Sequence, residues 1–153
     1  YNLCAQIASK KFLMIGRGLN PKSMAYVANV AEFIRTCIFA DIKYEVINYV
    51  DAPDFTMSTL VRLIRRQLLN RDDVGYRVPY LAALIIGHIA DFVSVLVRRR
   101  FPISAMRVRK FCAVTSFASA SELRRGFKPK FTLEEALERT LLYEFAPINR
   151  DNA

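Results

Sequence analysis

The segment 11–34 constrains the fold more than any other part of this chain, because it changes conformation three times over a short distance. The apolar run 12–15 has the length of a strand. Residues 16–21 then combine two glycines, which tolerate positive φ, with an Asn-Pro pair that starts a new extended segment. Extended character returns at 25–27, and Asn29, with a glutamate three residues later, has the form of a capping box. The pattern predicts a strand, a tight turn, a second strand and a helix.

Four cations, Lys10, Lys11, Arg17 and Lys22, surround the glycine turn and suggest a site for an anion. The formal net charge of +9 agrees with an anionic partner, but nucleic acid, phospholipid and phosphorylated metabolites all qualify at this point. The turn itself does not match a dinucleotide-binding loop, which requires a third glycine and a helix directly after it.

The composition favours a packed domain in a reducing compartment. Hydrophobic residues make up 53% of the 153 residues, which is enough for a core and argues against disorder. The three cysteines are odd in number and widely spaced, so we expect a cytoplasmic protein without a disulfide framework or a zinc site. The first residues have helical spacing without a methionine, a signal peptide or a cap, and we interpret residues 1–153 as the C-terminal part of a longer protein.

Strand–turn–helix units recur in the middle of the chain. The β-rich run 44–50 predicts a strand that ends at 51–54, and a helix follows from Thr56 with apolar residues at helical spacing on one face. Such units are typical of α/β folds, and we expect a helix-rich member of that class. The opposite face of this helix carries three arginines, which we expect to be solvated: Arg62, Arg65 and Arg66.

The most apolar segment is Tyr80–Val97, which has the length of a membrane span and is followed by three arginines. Asp91 lies near its middle, where a carboxylate would cost about 3 kcal/mol to insert into a bilayer. His88, Asp91 and Ser94 also form one polar stripe. We therefore expect a buried, one-sided helix with His88 hydrogen-bonded to Asp91 and no membrane span, while association with a membrane surface stays open.

A second basic cluster lies in the C-terminal half. Ser104 predicts the N-cap of a short helix that ends in cations around Arg109, and capping boxes at Ser119 and Thr132 predict two later helices. Cations beside aromatic residues, at Lys22 and at Arg109, suit a nucleotide or single-stranded nucleic acid. No recognition helix, catalytic motif or set of metal ligands accompanies them, so the residues alone identify no self-sufficient active site.

Three segments carry a resemblance to a known family. KFLMIGRGLNPKSMAYVANVAEFI is similar to a strand, a glycine turn and a helix entry of the form H-V-x-D-L-A. YEVINYVDAPDFTMSTLVRLI is similar to a strand, a polar turn and a helix, and RVRKFCAVTSFASASELRRGFKPKFTLEEALERTLLYEF to a closing tail with G-F-x-P and T-L-E-E-A-L. In this order they resemble the extended short-chain dehydrogenase/reductases, namely the NAD-dependent epimerase/dehydratase family that includes UDP-glucose 4-epimerase.

That resemblance implies an α/β fold made of the last Rossmann-type strand and helix and a small mixed substrate-binding domain, at the C-terminal end of a longer enzyme. The N-terminal part of the family holds NAD or NADP and the catalytic Tyr-x-x-x-Lys set. This sequence contains neither site, so we expect the fragment to be inactive alone. The implied partners are a nucleotide-sugar substrate and, for the full-length enzyme, a second copy in a homodimer.

The resemblance also implies substrate-binding residues. Lys22 occupies the position of a diphosphate-binding arginine, Arg109 matches a second arginine for the same group, and Cys112 replaces an aspartate that binds ribose. Lysine neutralises phosphate but lacks the bidentate geometry of arginine. The first strand is implied to line the base, through residues Phe12, Leu13, Met14 and Ile15.

Two alternatives remain open. In the first, the enzyme is one of the related reductases and acts on a sterol or flavonoid, which the long apolar segment 80–97 favours. In the second, the chain is a basic module for nucleic acid or an anionic membrane surface, which predicts steep salt dependence. We prefer the nucleotide-sugar enzyme, and with it no nucleic-acid partner, because the order of three motifs is more specific than net charge.

Overall fold

The computed structural model describes residues 2–40, 44–97, 104–118 and 125–145. Within these ranges the chain is rich in helix and carries two small sheets, which is compatible with the expected α/β class. The capping box predicted at Ser119 lies outside the described residues. In chain order the elements are α1 Asn2–Ala8, β1 Met14–Ile15, β2 Pro21–Met24, α2 Val27–Ile38, β3 Asp51–Thr56, α3 Met57–Leu69, β4 Arg77–Val78, α4 Tyr80–Val97, α5 Ala105–Cys112 and α6 Leu133–Phe145.

The core is organised around α3, which packs against α1 and α6. Its apolar stripe is buried as the sequence predicts, because residues three and four apart share one face of a helix. Each such side chain contributes about 1.5–3 kcal/mol when it is removed fully from water. The buried cluster consists of Ile7, Phe12, Met14, Phe55, Met57, Leu60, Val61, Ile64, Val74, Leu133 and Leu141.

The strands form two pairs. β1 is parallel to β4, with Met14 opposite Arg77, and the main-chain N–H of Gly16 donates to the carbonyl oxygen of Val78 at 2.8 Å. β2 is antiparallel to β3, with Lys22 opposite Phe55. A parallel bridge between Lys22 and Thr115 adds the segment after α5 to the other side of β2. The predicted first strand is confirmed at Met14–Ile15, and the glycine turn is confirmed by the positive φ of Gly16 and Gly18. The second strand lies at Pro21–Met24 and not at 25–27, because α2 already begins at Val27.

The predicted start of α2 is wrong. The helix begins at Val27 after Tyr26, whose side chain makes no capping hydrogen bond, so Asn29 is an internal residue of the first turn and not the cap. The main-chain N–H of Tyr26 donates instead to Asp51 Oδ2 at 2.7 Å. A carboxylate from a distant strand thus satisfies the backbone where a local cap was expected, and Asn29 is fully buried.

The predicted strand 44–50 is also wrong, because the strand is β3, which begins where a turn was expected. β2 selects this pairing, since it places Asp51 and Phe55 inside the protein. Pro53 lies opposite the register irregularity between Lys22 and Met24, where a residue without an N–H is tolerated. Residues 44–50 have high β-propensity but are not part of a strand.

The arginine face of α3 is only partly solvated. Arg62 and Arg66 are exposed as expected, but Arg65 retains 8% exposure, and its Nη2 lies 2.9 Å from Asp73 Oδ1. The loop before β4 covers Arg65, and the positive φ of Gly75 lets this loop turn close to the guanidinium. The loop that directly follows α3 therefore covers one arginine of a face that the helix pattern predicts to be solvated.

The apolar segment 80–97 forms helix α4 as predicted, but the expectation that it is buried is wrong. Ala83 and Gly87 are its buried residues, and most of its large apolar side chains are exposed. By length and composition it is the one helix of the described chain that reaches the size of a membrane span. The predicted hydrogen bond between His88 and Asp91 is not what the structure shows. Asp91 Oδ2 accepts instead from the main-chain N–H of Ala105 at 3.0 Å, and His88 is exposed.

Candidate functional site

The C-terminal end of α5 lies against β1 and the turn that follows it. Asn20 Nδ2 donates to the carbonyl oxygens of Phe111 at 2.9 Å and Ala113 at 3.1 Å, which ties the glycine turn to the last turn of α5. The Phe12 and Phe111 rings have centroids 6.0 Å apart, in the range of a favourable aromatic pair. Residues predicted from separate parts of the sequence are therefore brought to one corner of the fold.

Lys22 enters this corner from β2. Its ammonium nitrogen, Nζ, donates to the Ala113 carbonyl at 2.7 Å, to Thr115 Oγ1 at 3.0 Å and to the Lys110 carbonyl at 3.3 Å. A lysine has three N–H donors, so all of them have acceptors in the protein. The carbonyl ends of a helix carry partial negative charge, and an ammonium at this position stabilises them. Lys22 thus fixes the end of α5 in place.

Arg109 lies in the last turn of α5 and is exposed. Lys110 beside it is exposed as well, so this end of the helix presents two cations to solvent next to the Lys22 ammonium. The structure therefore brings Lys22 and Arg109 to the same end of one helix, although they are far apart in sequence.

The four residues of the run 12–15 that were predicted to line a base differ in their exposure. Phe12 and Met14 are core side chains with 7% and 0% exposure. Leu13 is 49% exposed, and Ile15 is half-buried. Of these side chains, Leu13 and Ile15 are the two that a ligand can reach, because alternate residues of a strand point to opposite faces.

Cys112 stands where the resemblance led us to expect aspartate. Its Sγ lies 3.8 Å from the carbonyl oxygen of Ile15, as a weak donor to the backbone of the first strand. Burial raises the pKa of the Cys112 thiol, and the nearby Lys22 ammonium opposes that rise. The thiol is therefore a neutral packing group at neutral pH and does not replace the charge of a carboxylate.

The glycine turn is packed against α3. The N–H of Ser58 donates to the Gly18 carbonyl at 2.9 Å, and that of Met57 donates to the Asn20 carbonyl at 3.1 Å. An added Cβ on Gly18 would meet the Met14 side chain and lie 3.2 Å from Ser58 N. The first N–H groups of α3 and the space above Gly18 are thus occupied, so this turn does not fit the pyrophosphate of NAD or NADP.

Sequence reasoning missed a buried polar network. The Asp51 carboxylate, 1% exposed, accepts from Asn29 Nδ2 at 3.1 Å and from the Tyr49 hydroxyl at 2.7 Å. Asn29 in turn binds the main chain of Phe131, just before α6. The partners are 22 and 102 residues from Asn29, so no local spacing signals them. The network joins α2, β3 and the entry to α6, and it supports the strand pair that carries Lys22.

A second missed cluster flanks Lys22. Asp54 accepts from the Ser23 hydroxyl at 2.7 Å and from the Ser116 hydroxyl at 2.5 Å. The Ser23 hydroxyl also accepts from the main-chain N–H of Phe117 at 2.8 Å. These contacts fasten the segment after α5 to β2 and β3, and so they hold the carbonyl and hydroxyl acceptors of Lys22 in place. In the part of the chain that the structure describes, no group of three His, Cys, Asp or Glu residues could hold a metal ion.

Comparison with known proteins identifies two relatives. The chain is 41% identical, over 99% of its length, to N-acetyl-alpha-D-glucosaminyl-diphospho-ditrans,octacis-undecaprenol 4-epimerase of Escherichia coli O157:H7, and it covers 46% of that enzyme. It is 32% identical over 94 residues to the decarboxylating sterol-4-alpha-carboxylate 3-dehydrogenase of Candida albicans, which amounts to 60% of this chain and 26% of that enzyme. No family model matches the chain, and no solved structure gives a significant match.

Both relatives are enzymes of the extended short-chain dehydrogenase/reductase family. The chain spans about half the length of the epimerase and about a quarter of the dehydrogenase. The resemblance drawn from its three segments is therefore confirmed, and this protein is a homologue of the extended short-chain dehydrogenase/reductases.

Proposed function

We propose that this chain is the C-terminal, substrate-binding part of a longer, cytoplasmic NAD(P)-dependent epimerase that holds a sugar through its diphosphate. The observation that carries the proposal is the meeting of Lys22 and the Arg109 end of α5 at one corner of the fold. The similarity over nearly the whole chain to a 4-epimerase of a diphosphate-linked N-acetylglucosamine supports it. NAD(P) and the Tyr–Lys pair of the family would be held by residues outside this sequence.

The two cations have different tasks in this proposal. The Lys22 ammonium already donates to three protein acceptors, so it supplies a fixed positive charge and a rigid end to α5. Arg109 is exposed one turn before Ala113 and supplies the direct contact, because a guanidinium binds two phosphate oxygens at once. Leu13, which is exposed, and Ile15, which is half-buried, are the side chains of the run 12–15 that would be available to the group attached to the diphosphate.

The group beyond the diphosphate is either a nucleoside or a polyprenol. The resemblance implies a nucleotide sugar, whereas the 41%-identical relative acts, by its name, on a sugar linked to undecaprenol. The apolar face of α4 favours the lipid-linked form, since α4 packs directly on α5. The diphosphate is common to both substrates, and the assignment of Lys22 and Arg109 is the same for either.

The proposal is tested by calorimetry on the full-length enzyme, with a UDP-sugar in one arm and a short-chain polyprenyl-diphosphate sugar in detergent in the other. We expect Arg109→Ala to weaken binding of the accepted substrate by about 10–100-fold, the range for losing a charge-assisted contact. Arg62→Ala, which removes an exposed arginine from α3, is the matched control and should bind like the wild type.

Equal binding by wild type, Arg109→Ala and Lys22→Met would overturn the site assignment. Binding of a sterol carboxylate in place of both diphosphates would favour the dehydrogenase alternative, which the second relative keeps open. Binding in only one arm identifies the group beyond the diphosphate.

A further inference from the structure

Helix α4 presents a face of large apolar side chains to solvent, with the exposed His88 at its edge. The large side chains Leu81, Ile85, Ile89, Phe92 and Leu96 are each between 58% and 75% exposed. Their spacing puts them on one side of the helix, opposite Ala83 and Gly87. Isolated exposed apolar residues are ordinary on proteins, but a contiguous row of this length marks an interaction surface.

The other side of α4 is held by α5. Gly87 is packed so closely that a Cβ at this position would lie 2.7 Å from the main-chain nitrogen of Ala105. Asp91 accepts from the same nitrogen at 3.0 Å. The inner side of α4 is therefore in contact with α5, and only the outer face is accessible to a partner.

The helix that α4 packs on is basic. Arg107, Arg109 and Lys110 are exposed on α5, and the sequence places Arg98, Arg99 and Arg100 directly after α4. Charged side chains of this kind do not enter the hydrocarbon core without large cost, which argues against α4 crossing a bilayer with α5 attached. An apolar helix face flanked by cations is the combination that binds at the surface of an anionic membrane.

We propose that α4 lies in the plane of an anionic membrane surface, with its outer face among the first acyl carbons and the cations of α5 at the headgroups. The biological role of this contact rests on the proposed function: membrane binding would bring the Lys22–Arg109 corner to the surface in which a polyprenyl diphosphate is embedded. The charge of the surrounding residues favours an anionic bilayer over a second copy of this chain, which carries the same net charge of +9.

Vesicle sedimentation of the full-length protein tests the proposal. We expect binding to phosphatidylcholine vesicles that contain phosphatidylglycerol, weaker binding to phosphatidylcholine alone, and release at high salt. The double variant Ile85→Ser, Phe92→Ser should bind at least about tenfold more weakly, because two large side chains no longer enter the bilayer. The matched control is Ile38→Ser, Phe39→Ser at the end of α2, where the same residue types are 72% and 79% exposed, and it should bind like the wild type.

A second variant leaves the apolar face intact. Replacing Arg107 and Lys110 of α5 with glutamine should lower both the preference for anionic vesicles and the salt dependence. Failure of the wild type to bind either vesicle, or equal loss in the α4 and α2 double variants, would overturn the proposal. Dissociation of a dimer in the α4 variant without loss of vesicle binding would assign the face to a second copy instead.

Vesicle binding and sugar binding are measured separately, so the two proposals can fail separately. If vesicle binding fails while calorimetry still detects the diphosphate sugar, only the membrane inference falls. If vesicle binding holds while Arg109→Ala has no effect on sugar binding, only the proposed function falls.

Discussion

Asn29 forms two hydrogen bonds with the main chain of Phe131, from Nδ2 to the carbonyl oxygen at 2.8 Å and from the Phe131 N–H to Oδ1 at 3.1 Å. The Asn29 side chain thus satisfies both main-chain hydrogen-bonding groups of Phe131, as a neighbouring strand would, in the segment that leads into α6. Because Asn29 is fully buried, removing its amide leaves polar groups without partners in the interior.

We expect Asn29→Ala to lower the free energy of unfolding by about 1–3 kcal/mol, since Asp51 and Phe131 both lose a partner. Urea denaturation followed by circular dichroism measures this change. Asn48→Ala, at an exposed position, is the control and should shift the free energy by less than about 0.5 kcal/mol. Equal effects of the two substitutions would contradict the structural role of the network.

Gly87→Ala should destabilise the protein, although alanine favours a helix interior by about 1 kcal/mol over glycine. The added methyl group would lie 2.7 Å from the nitrogen and 2.8 Å from the Cα of Ala105, so α4 and α5 must move apart. We expect a loss of about 1–3 kcal/mol in thermal or urea unfolding. Gly126→Ala is the matched control, because an added Cβ there meets nothing within 4 Å. A stabilised Gly87→Ala variant would show that α4 and α5 are not in close contact.

The Asp73 carboxylate makes stability depend on pH at the acid end. The N–H of Gly75, and next the Arg65 guanidinium, lower the pKa of Asp73 in the folded protein. A lowered folded pKa gives a contribution that is complete above the unfolded value of about 3.9 and is lost as the pH falls through the folded pKa. We therefore expect Asp73→Asn to be less stable than the wild type at pH 7, with the difference shrinking as the pH falls below the unfolded value of about 3.9.

Urea unfolding at a series of pH values checks the Asp73 prediction. Asp72→Asn is the neighbouring control, because this exposed carboxylate lies 3.8 Å from Arg62 and should contribute little. A gap between wild type and Asp73→Asn that stays constant from neutral to acid pH would contradict the assigned ion pair.

The capping box at the start of α6 should contribute measurably to stability. The Thr132 hydroxyl accepts from the N–H of Glu135 at 3.2 Å, and Glu135 Oε2 accepts from the N–H of Thr132 at 2.9 Å. Thr132→Ala should cost about 1 kcal/mol in the free energy of unfolding. Thr140→Ala within α6, whose hydroxyl bonds the Ala136 carbonyl of its own helix, should be nearly neutral. If the two substitutions cost the same, the cap is not formed in solution.

Local patterns in the sequence determined the elements whose stabilising partners lie close along the chain. The apolar stripe of α3, the glycine turn after β1 and the Thr132–Glu135 cap follow from residues within one or two turns of each other. The two cations of the candidate site were also identified from the sequence, through the resemblance. The hydrogen bonds of Lys22 could not be predicted from the sequence, because its acceptors are contributed by a helix end about ninety residues later.

Only the tertiary structure decided which segment pairs with β2, what Asn29 binds, and where Arg65 and α4 lie. Asp51 begins a strand and accepts three hydrogen bonds because β2, α2 and Tyr49 surround it, although its local sequence is typical of a turn. The apolar composition of α4 predicted burial, yet the large side chains of its outer face are exposed. The physical reason is common to these cases: burial and long-range hydrogen bonds depend on groups that converge in space, and the spacing of residues along one segment carries no record of them.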